Sequence, residues 1–311
     1  MTFRRLATSL LIAALGLAGL THWRATSREA AAEAAFPPSG SFVTVDGRRL
    51  HYEMAGTGPD LVMIHGASGS LRDLTFALRD RLTDRYRVTV VDRPGLGHSD
   101  PLDETSLRAQ ARFIKAGVAQ LGVTDPIVLG QSYGGSVALA WALEGGPKAL
   151  VLVGSPSMPW PGQLDPWYRL TATWPGRHLA IPLASAFVPQ SYVSAATVAV
   201  FAPDPVPRGY GDHLGAALTL RRETLIANTS QINALRAELV EMEPHYPTLG
   251  LPVELIHGTE DTIVPLHIHS QPVSQLLPNS RLTVIPGAGH MPHHAHPDIV
   301  SQAIDRAREN S

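Results

Sequence analysis

The rhythm of hydrophobic and polar positions changes more than once along this chain. An almost unbroken apolar run covers residues 6–20, between Arg4-Arg5 and Arg24. From residue 41 onward, short apolar runs alternate with longer stretches of helical period. Residues 41–46 and 49–54 read as two strands joined at Asp46-Gly47, a β-hairpin signature. Residues 61–64, 87–91, 127–129, 149–153, 253–256 and 281–285 are brief, mostly apolar segments. Runs of that kind suit strands buried on both faces of a parallel sheet. Helical patterns separate them, at about 71–82, 104–121, 134–143, 269–277 and 297–308. The alternation predicts an α/β fold, a doubly wound and mostly parallel sheet with an antiparallel hairpin at one edge.

One stretch interrupts the alternation. Residues 156–249, after the sixth strand, have helical character, many prolines and no evident buried strand. They carry Trp160, Trp167 and Trp174, three of the chain's five tryptophans, together with Tyr168, Phe187, Tyr192, Phe201 and Tyr210. An insertion of that size at one crossover is expected to form a helical cap over the strand ends, where open α/β sheets bind ligands. The core is then split between residues 41–155 and 250–311.

The N-terminal segment, residues 1–24, reads as a membrane anchor or a cleaved signal. Its apolar run is shorter than the roughly 20 residues a span needs, but counting on to Trp23 brings it close. The anchor is the preferred reading, because no small-x-small cleavage pattern follows Leu20 closely; Ala32-Glu33-Ala34 comes far downstream. Arg4 and Arg5 place the N-terminus inside and the remainder on the exported side, although Arg24 and Arg28 oppose that orientation. Residues 25–40, rich in Ala, Ser and Pro, read as a linker, helical at most in their Ala-rich middle.

Composition narrows the chemistry. Hydrophobic residues make up 44% and charged residues 17% of the 311, a globular balance. A net charge of −2 offers nothing to a polyanion, so no nucleic-acid partner is expected. The absence of cysteine removes disulfides, thiolate metal sites and a cysteine nucleophile together.

The candidate chemistry sits at strand ends. Gly130-Gln131-Ser132-Tyr133-Gly134 follows a buried strand and opens a helix, the setting in which a G-x-S-x-G match gains meaning as a nucleophile turn. A serine hydroxyl needs a base, and the base needs an orienting acid. Asp261 follows the strand at 253–256, with Glu260 as a weaker rival, and His290 follows the strand at 281–285. The order Ser132, Asp261, His290 is that of an α/β-hydrolase triad. His293, His294 and His296 beside His290 raise a metal reading, disfavoured because no carboxylate or cysteine stands at a recognised spacing. No metal and no organic cofactor is expected.

From about residue 42 to residue 307 the chain resembles the α/β-hydrolase family, in particular its capped esterase and C–C hydrolase members. The resemblance rests on His65-Gly66-Ala67-Ser68, Asp92-Arg93-Pro94-Gly95-Leu96-Gly97-His98-Ser99, the serine turn, the loop 258–265 and Gly289-His290. It implies that the backbone N–H groups of Ala67 and Tyr133 form an oxyanion hole, that His65 supports the oxyanion loop, and that Asp92 and Arg93 brace loops. Serine at position 132 disfavours the haloalkane dehalogenases and most epoxide hydrolases of this fold, which use aspartate there.

The expected activity is hydrolysis of a small hydrophobic ester through an acyl-enzyme, of the carboxylesterase or monoacylglycerol-lipase kind. Ser68, Trp160, Trp167 and Tyr168 are the candidate substrate contacts. A C–C hydrolase, perhydrolase or lactonase with the same triad is the first alternative, and a non-catalytic receptor of this fold the second.

Overall fold

The computed structural model describes residues 2–311; Met1, which begins the expected N-terminal segment, lies outside them. Strands β1 (Ser41–Val45) and β2 (Arg48–Ala55) form the expected hairpin. Asp46 and Gly47 at its turn both take positive φ, as a two-residue hairpin turn demands. The remaining strands are β3 (Asp60–Ile64), β4 (Arg87–Val91), β5 (Ile127–Gln131), β6 (Ala149–Val153), β7 (Val253–Gly258) and β8 (Ser280–Ile285). All eight join one sheet in the order β1-β2-β4-β3-β5-β6-β7-β8. β2 meets β4 antiparallel, and every pairing from β4 to β8 is parallel. β3, β5, β6 and β7 are buried at every position, which explains their continuously apolar reading. β8 departs from it: as the edge strand it is only partly covered.

Helices cover both faces. On one side lie α2 (Leu71–Leu74), a π-turn at Thr75–Arg79, α3 (Asp80–Leu82) and the later α13 (Pro297–Glu309). On the other lie α4 (Leu107–Gln120), α5 (Tyr133–Leu143) and α11 (Ser270–Leu276). The short α12 (Pro292–Ala295) precedes α13. The apolar stripe of α13 (Val300, Ala303, Ile304, Ala307) is fully buried, as its helical spacing requires. The chain is therefore a doubly wound, mostly parallel α/β sheet.

Between β6 and β7 the chain builds helices α6 (Pro166–Thr171), α7 (Ile181–Phe187), α8 (Gln190–Phe201), α9 (Tyr210–Leu214) and α10 (Arg222–Met242). No strand interrupts them among the described residues.

The N-terminal helix α1 (Thr2–Ala35) runs further than the sequence pattern indicates, and residues 25–35, expected as linker, are helical. Helix-forming alanines permit this, and docking stabilises it. Arg24 Nε donates to the Ala186 carbonyl at 2.8 Å, and Arg28 to the carbonyls of Ala186 (3.0 Å) and Val188 (2.7 Å). These basic side chains satisfy carbonyls at the C-terminal end of α7. Glu29 pairs with Arg222 at 2.7 Å, and Ala25 and Ala32 are buried. The first part of α1 behaves differently: Leu6, Leu10, Leu11, Ile12, Leu15, Leu17 and Leu20 are all exposed. This helix is long and apolar enough to cross a membrane.

Candidate active site

Ser132 sits at the hinge between β5 and α5 with φ 49° and ψ −125°, a conformation L-residues rarely adopt. Its N–H donates to the Val153 carbonyl at 2.8 Å. The flanking glycines are dictated by space. A Cβ on Gly130 would lie 2.4 Å from the Gly134 carbonyl oxygen, and one on Gly134 would lie 2.2 Å from that of Ile64. Only glycine lets the strand and helix approach so closely, which turns the serine side chain outward.

The other two residues arrive from the ends of β7 and β8. His290 Nε2 lies 3.0 Å from Ser132 Oγ, and His290 Nδ1 lies 2.8 Å from Asp261 Oδ2. Asp261 Oδ1 accepts from the N–H groups of Ile263 (3.0 Å) and Val264 (2.8 Å). Burial works to raise the Asp261 carboxyl, but hydrogen bonds from His257 and His290 and from the Val264 N–H outweigh it and hold it well below the ordinary carboxylate range. Asp261 is thus ionised at neutral pH and accepts from Nδ1–H, leaving Nε2 as the basic nitrogen toward the hydroxyl. Glu260 is exposed and reaches only Thr259, at 3.3 Å.

Ala67 lines the same cavity as Ser132. Tyr133 is the first residue of α5, so its N–H has no carbonyl partner within the helix. Its ring is buried, with the hydroxyl 3.2 Å from Gln110 Nε2. The arrangement brings a hydroxyl, a base and an ionised carboxylate together at the N-terminus of α5, components of acyl transfer.

These groups open into a cavity of about 530 Å³ whose wall is mostly apolar. Ser68, Trp167 and Tyr168 line it as the sequence suggests, but Trp160 does not: its ring stands 6.1 Å from that of His269 and packs against the core. Sequence reasoning names Tyr192, Phe201 and Tyr210 only as aromatics of the insertion and misses Leu225 and Met291, all of which join the wall, and Asp73, which reaches it from α2. Aromatic content marks the insertion as a cover; it does not say which rings face inward.

Asp73 also changes the reading of the histidine tract. A carboxylate does partner it, brought by the fold rather than by sequence spacing. His293 Nε2 lies 3.0 Å from Asp73 Oδ2, and His294 Nε2 lies 2.7 Å from Oδ1, which also accepts from the Tyr210 hydroxyl at 2.8 Å. Among the described residues this is the one group with ligand atoms gathered within 4.8 Å. Three donors already engage the carboxylate, and neither Nδ1 has the second partner that metal-bound imidazoles use. The cluster reads as a hydrogen-bonded joint between α9 and the core.

The profile of the alpha/beta hydrolase family matches residues 61–303. A pimeloyl-[acyl-carrier protein] methyl ester esterase of Nitrosomonas europaea is 30% identical over 82% of this chain and 98% of its own. An alpha/beta hydrolase fold protein from Burkholderia ambifaria superposes with a TM-score of 0.71 at 26% identity, over 86% of this chain and 97% of that one. An esterase from Rhodococcus sp. does so with a TM-score of 0.66 at 25% identity, over 87% and 98%. With its sheet order and the match across most of its length, this chain belongs to the alpha/beta hydrolase family and is a hydrolase of that fold.

Proposed function

We propose that the chain is a serine hydrolase that cleaves carboxylic esters carrying a hydrophobic acyl or alcohol group. The observation that carries this reading is the hydrogen-bonded line from Ser132 Oγ through His290 to Asp261. In this mechanism His290 Nε2 takes the Ser132 proton as Oγ attacks the ester carbonyl. Asp261 holds the tautomer and stabilises the imidazolium. The N–H groups of Ala67 and Tyr133 receive the oxyanion, each worth a few kcal/mol. His290 returns the proton to the leaving alkoxide, and water then repeats the sequence on the acyl-enzyme.

The esterase names of the Nitrosomonas and Rhodococcus relatives support ester cleavage. The apolar cavity supports a lipophilic substrate. In this reading residues 156–249 act as a cap on a core of residues 41–155 and 250–311. The exposed apolar part of α1 anchors the enzyme to a membrane, which suits a substrate that partitions into lipid.

Hydrolysis of p-nitrophenyl esters by the wild type and Ser132→Ala tests the proposal. Turnover that disappears with the serine supports it, and turnover that survives the substitution overturns it. A carbonate wash of membranes tests the anchor, since an anchored protein stays in the pellet.

A further inference from the structure

Arg93 is fully buried, and its guanidinium meets no carboxylate. Its neighbour Asp92 directs its own oxygens to His51, the Leu71 N–H and the His98 N–H. Arg93 instead donates to three neutral acceptors: Gln110 Oε1 at 3.1 Å, Gln231 Oε1 at 2.6 Å and the Gly66 carbonyl at 3.0 Å. The guanidinium stands 4.2 Å from the Tyr133 ring centroid. Burial lowers its pKa to about 10, which leaves it charged at neutral pH. A dry cation without a counter-ion is costly to hold, so its position calls for a physical reason.

The Gly66 carbonyl supplies one. His65 Nε2 accepts from the Arg93 N–H at 3.0 Å, so the His65 proton sits on Nδ1 and is donated to the Gly66 oxygen at 2.8 Å. Two donors, one of them charged, therefore grip a single carbonyl. In a trans peptide the C=O and the following N–H point in opposite directions. Gripping the Gly66 oxygen aims the Ala67 N–H away from Arg93, and the charge polarises that peptide so that its N–H is a stronger donor.

The next residue is held from the insertion. Ser68 has φ 53°; its N–H donates to Asn228 Oδ1 at 2.8 Å, and its Oγ accepts from Asn228 Nδ2 at 2.9 Å. Gln231, which holds Arg93, also donates to the Pro94 carbonyl at 2.8 Å. Asn228 and Gln231 are three residues apart on α10 and share one helix face.

We infer that Arg93, Gln231 and Asn228 are positioning residues for the oxyanion site. Helix α10 holds residues 66–68 in register with Ser132 by two routes, Asn228 to Ser68 and Gln231 through Arg93 to Gly66. The oxyanion site is complete only while α10 is seated. This inference rests on the serine-hydrolase reading.

Kinetics on p-nitrophenyl butyrate, inhibition by a trifluoromethyl ketone and thermal melting test it together. The ketone forms a hemiketal whose oxyanion occupies the site in question. In Asn228→Ala and Gln231→Leu, kcat should fall about 10- to 100-fold with KM changed less than about threefold, and the ketone's inhibition constant should rise in step with the loss of kcat/KM. Gln231→Glu separates positioning from bracing. The carboxylate keeps its bond to Arg93 and gives it a counter-ion but loses the donor to the Pro94 carbonyl, so kcat and ketone affinity should fall together while the melting temperature falls less than in Gln231→Leu. Wild-type kcat and ketone affinity in these variants, or losses confined to KM or to melting temperature, would overturn the inference. A wild type without ester turnover overturns the serine-hydrolase reading and this one with it. An active wild type with unaffected variants overturns this one alone.

Discussion

His257 Nε2 lies 3.2 Å from Asp261 Oδ2, the oxygen that also accepts from His290. His257 is itself fixed, with Nδ1 2.6 Å from Ser270 Oγ and Nε2 2.6 Å from the Val264 carbonyl. The carboxylate thus accepts from His290 and two backbone N–H groups, and shares the His257 Nε2–H with the Val264 carbonyl. In sequence His257 reads only as part of a buried strand end, and nothing local connects it with the acid loop.

With Asp261 as the proposed orienting acid, removing its charge should cost turnover more than binding. Asp261→Asn should lower kcat by about 10³- to 10⁴-fold, with KM within a few-fold and the fold intact. His257→Leu should cost only about tenfold, because the Ile263 and Val264 N–H groups still hold the carboxylate. Steady-state kinetics with circular dichroism would check both. Equal losses in the two variants would contradict the assigned roles.

Stability should fall on mild acidification. Burial is the main cause that lowers His65, His269 and His293 to about 4 in the folded protein. The unfolded chain protonates them near 6.5, so it takes up protons that the folded state refuses. Stability is full above about pH 7 and declines between 6.5 and about 4, on the order of 2 kcal/mol per group at pH 5. Asp73 and Asp261 are shifted downward, and their contribution is lost only below the ordinary carboxylate range. Melting temperatures from pH 7.5 to 5 should show the decline, and His293→Gln should make it shallower by about one proton.

The elbow tolerates no side chain at Gly134. A Cβ there would meet the carbonyl oxygens of Ile64 at 2.2 Å and His65 at 2.7 Å, both backbone atoms at the end of β3. Gly134→Ala should cost at least about 3 kcal/mol, on the order of 10 °C in melting temperature, and abolish turnover by displacing Ser132. A melting scan and an ester assay would show it.

How much was legible follows from where the signals lie. Ser132, Asp261 and His290 each stand in a short loop directly after an apolar strand, so backbone-local cues and chain order mark them. The hairpin at Asp46-Gly47 is marked in the same way. The residues that hold the loop at 66–68 carry no such mark. Asn228 lies 160 residues from Ser68, and Gln231 lies 138 from Arg93, so only the folded chain brings them together. Asp73 reaches His293 across 220 residues for the same reason. Trp160 misleads because aromatic character is equally suited to core packing, and residues 25–35 because helix docking overrode a composition that reads as linker.

Cavity shape should set chain-length preference. Val200 on α8 lines the wall and is only partly buried, so a larger side chain there fills space that a long acyl chain would use. Val200→Trp should lower kcat/KM for p-nitrophenyl octanoate by about tenfold or more while changing the acetate less than about threefold. Parallel losses on both esters would show that the cavity does not hold the acyl group.

The proposed mechanism makes Ser132 a nucleophile activated by His290. Incubation with a fluorophosphonate, followed by intact-mass and peptide mass spectrometry, tests it most directly. One adduct per chain is expected, located on Ser132, absent in Ser132→Ala and strongly slowed in His290→Gln. A folded wild type that takes up no phosphonate, or an adduct that persists in Ser132→Ala, would contradict it.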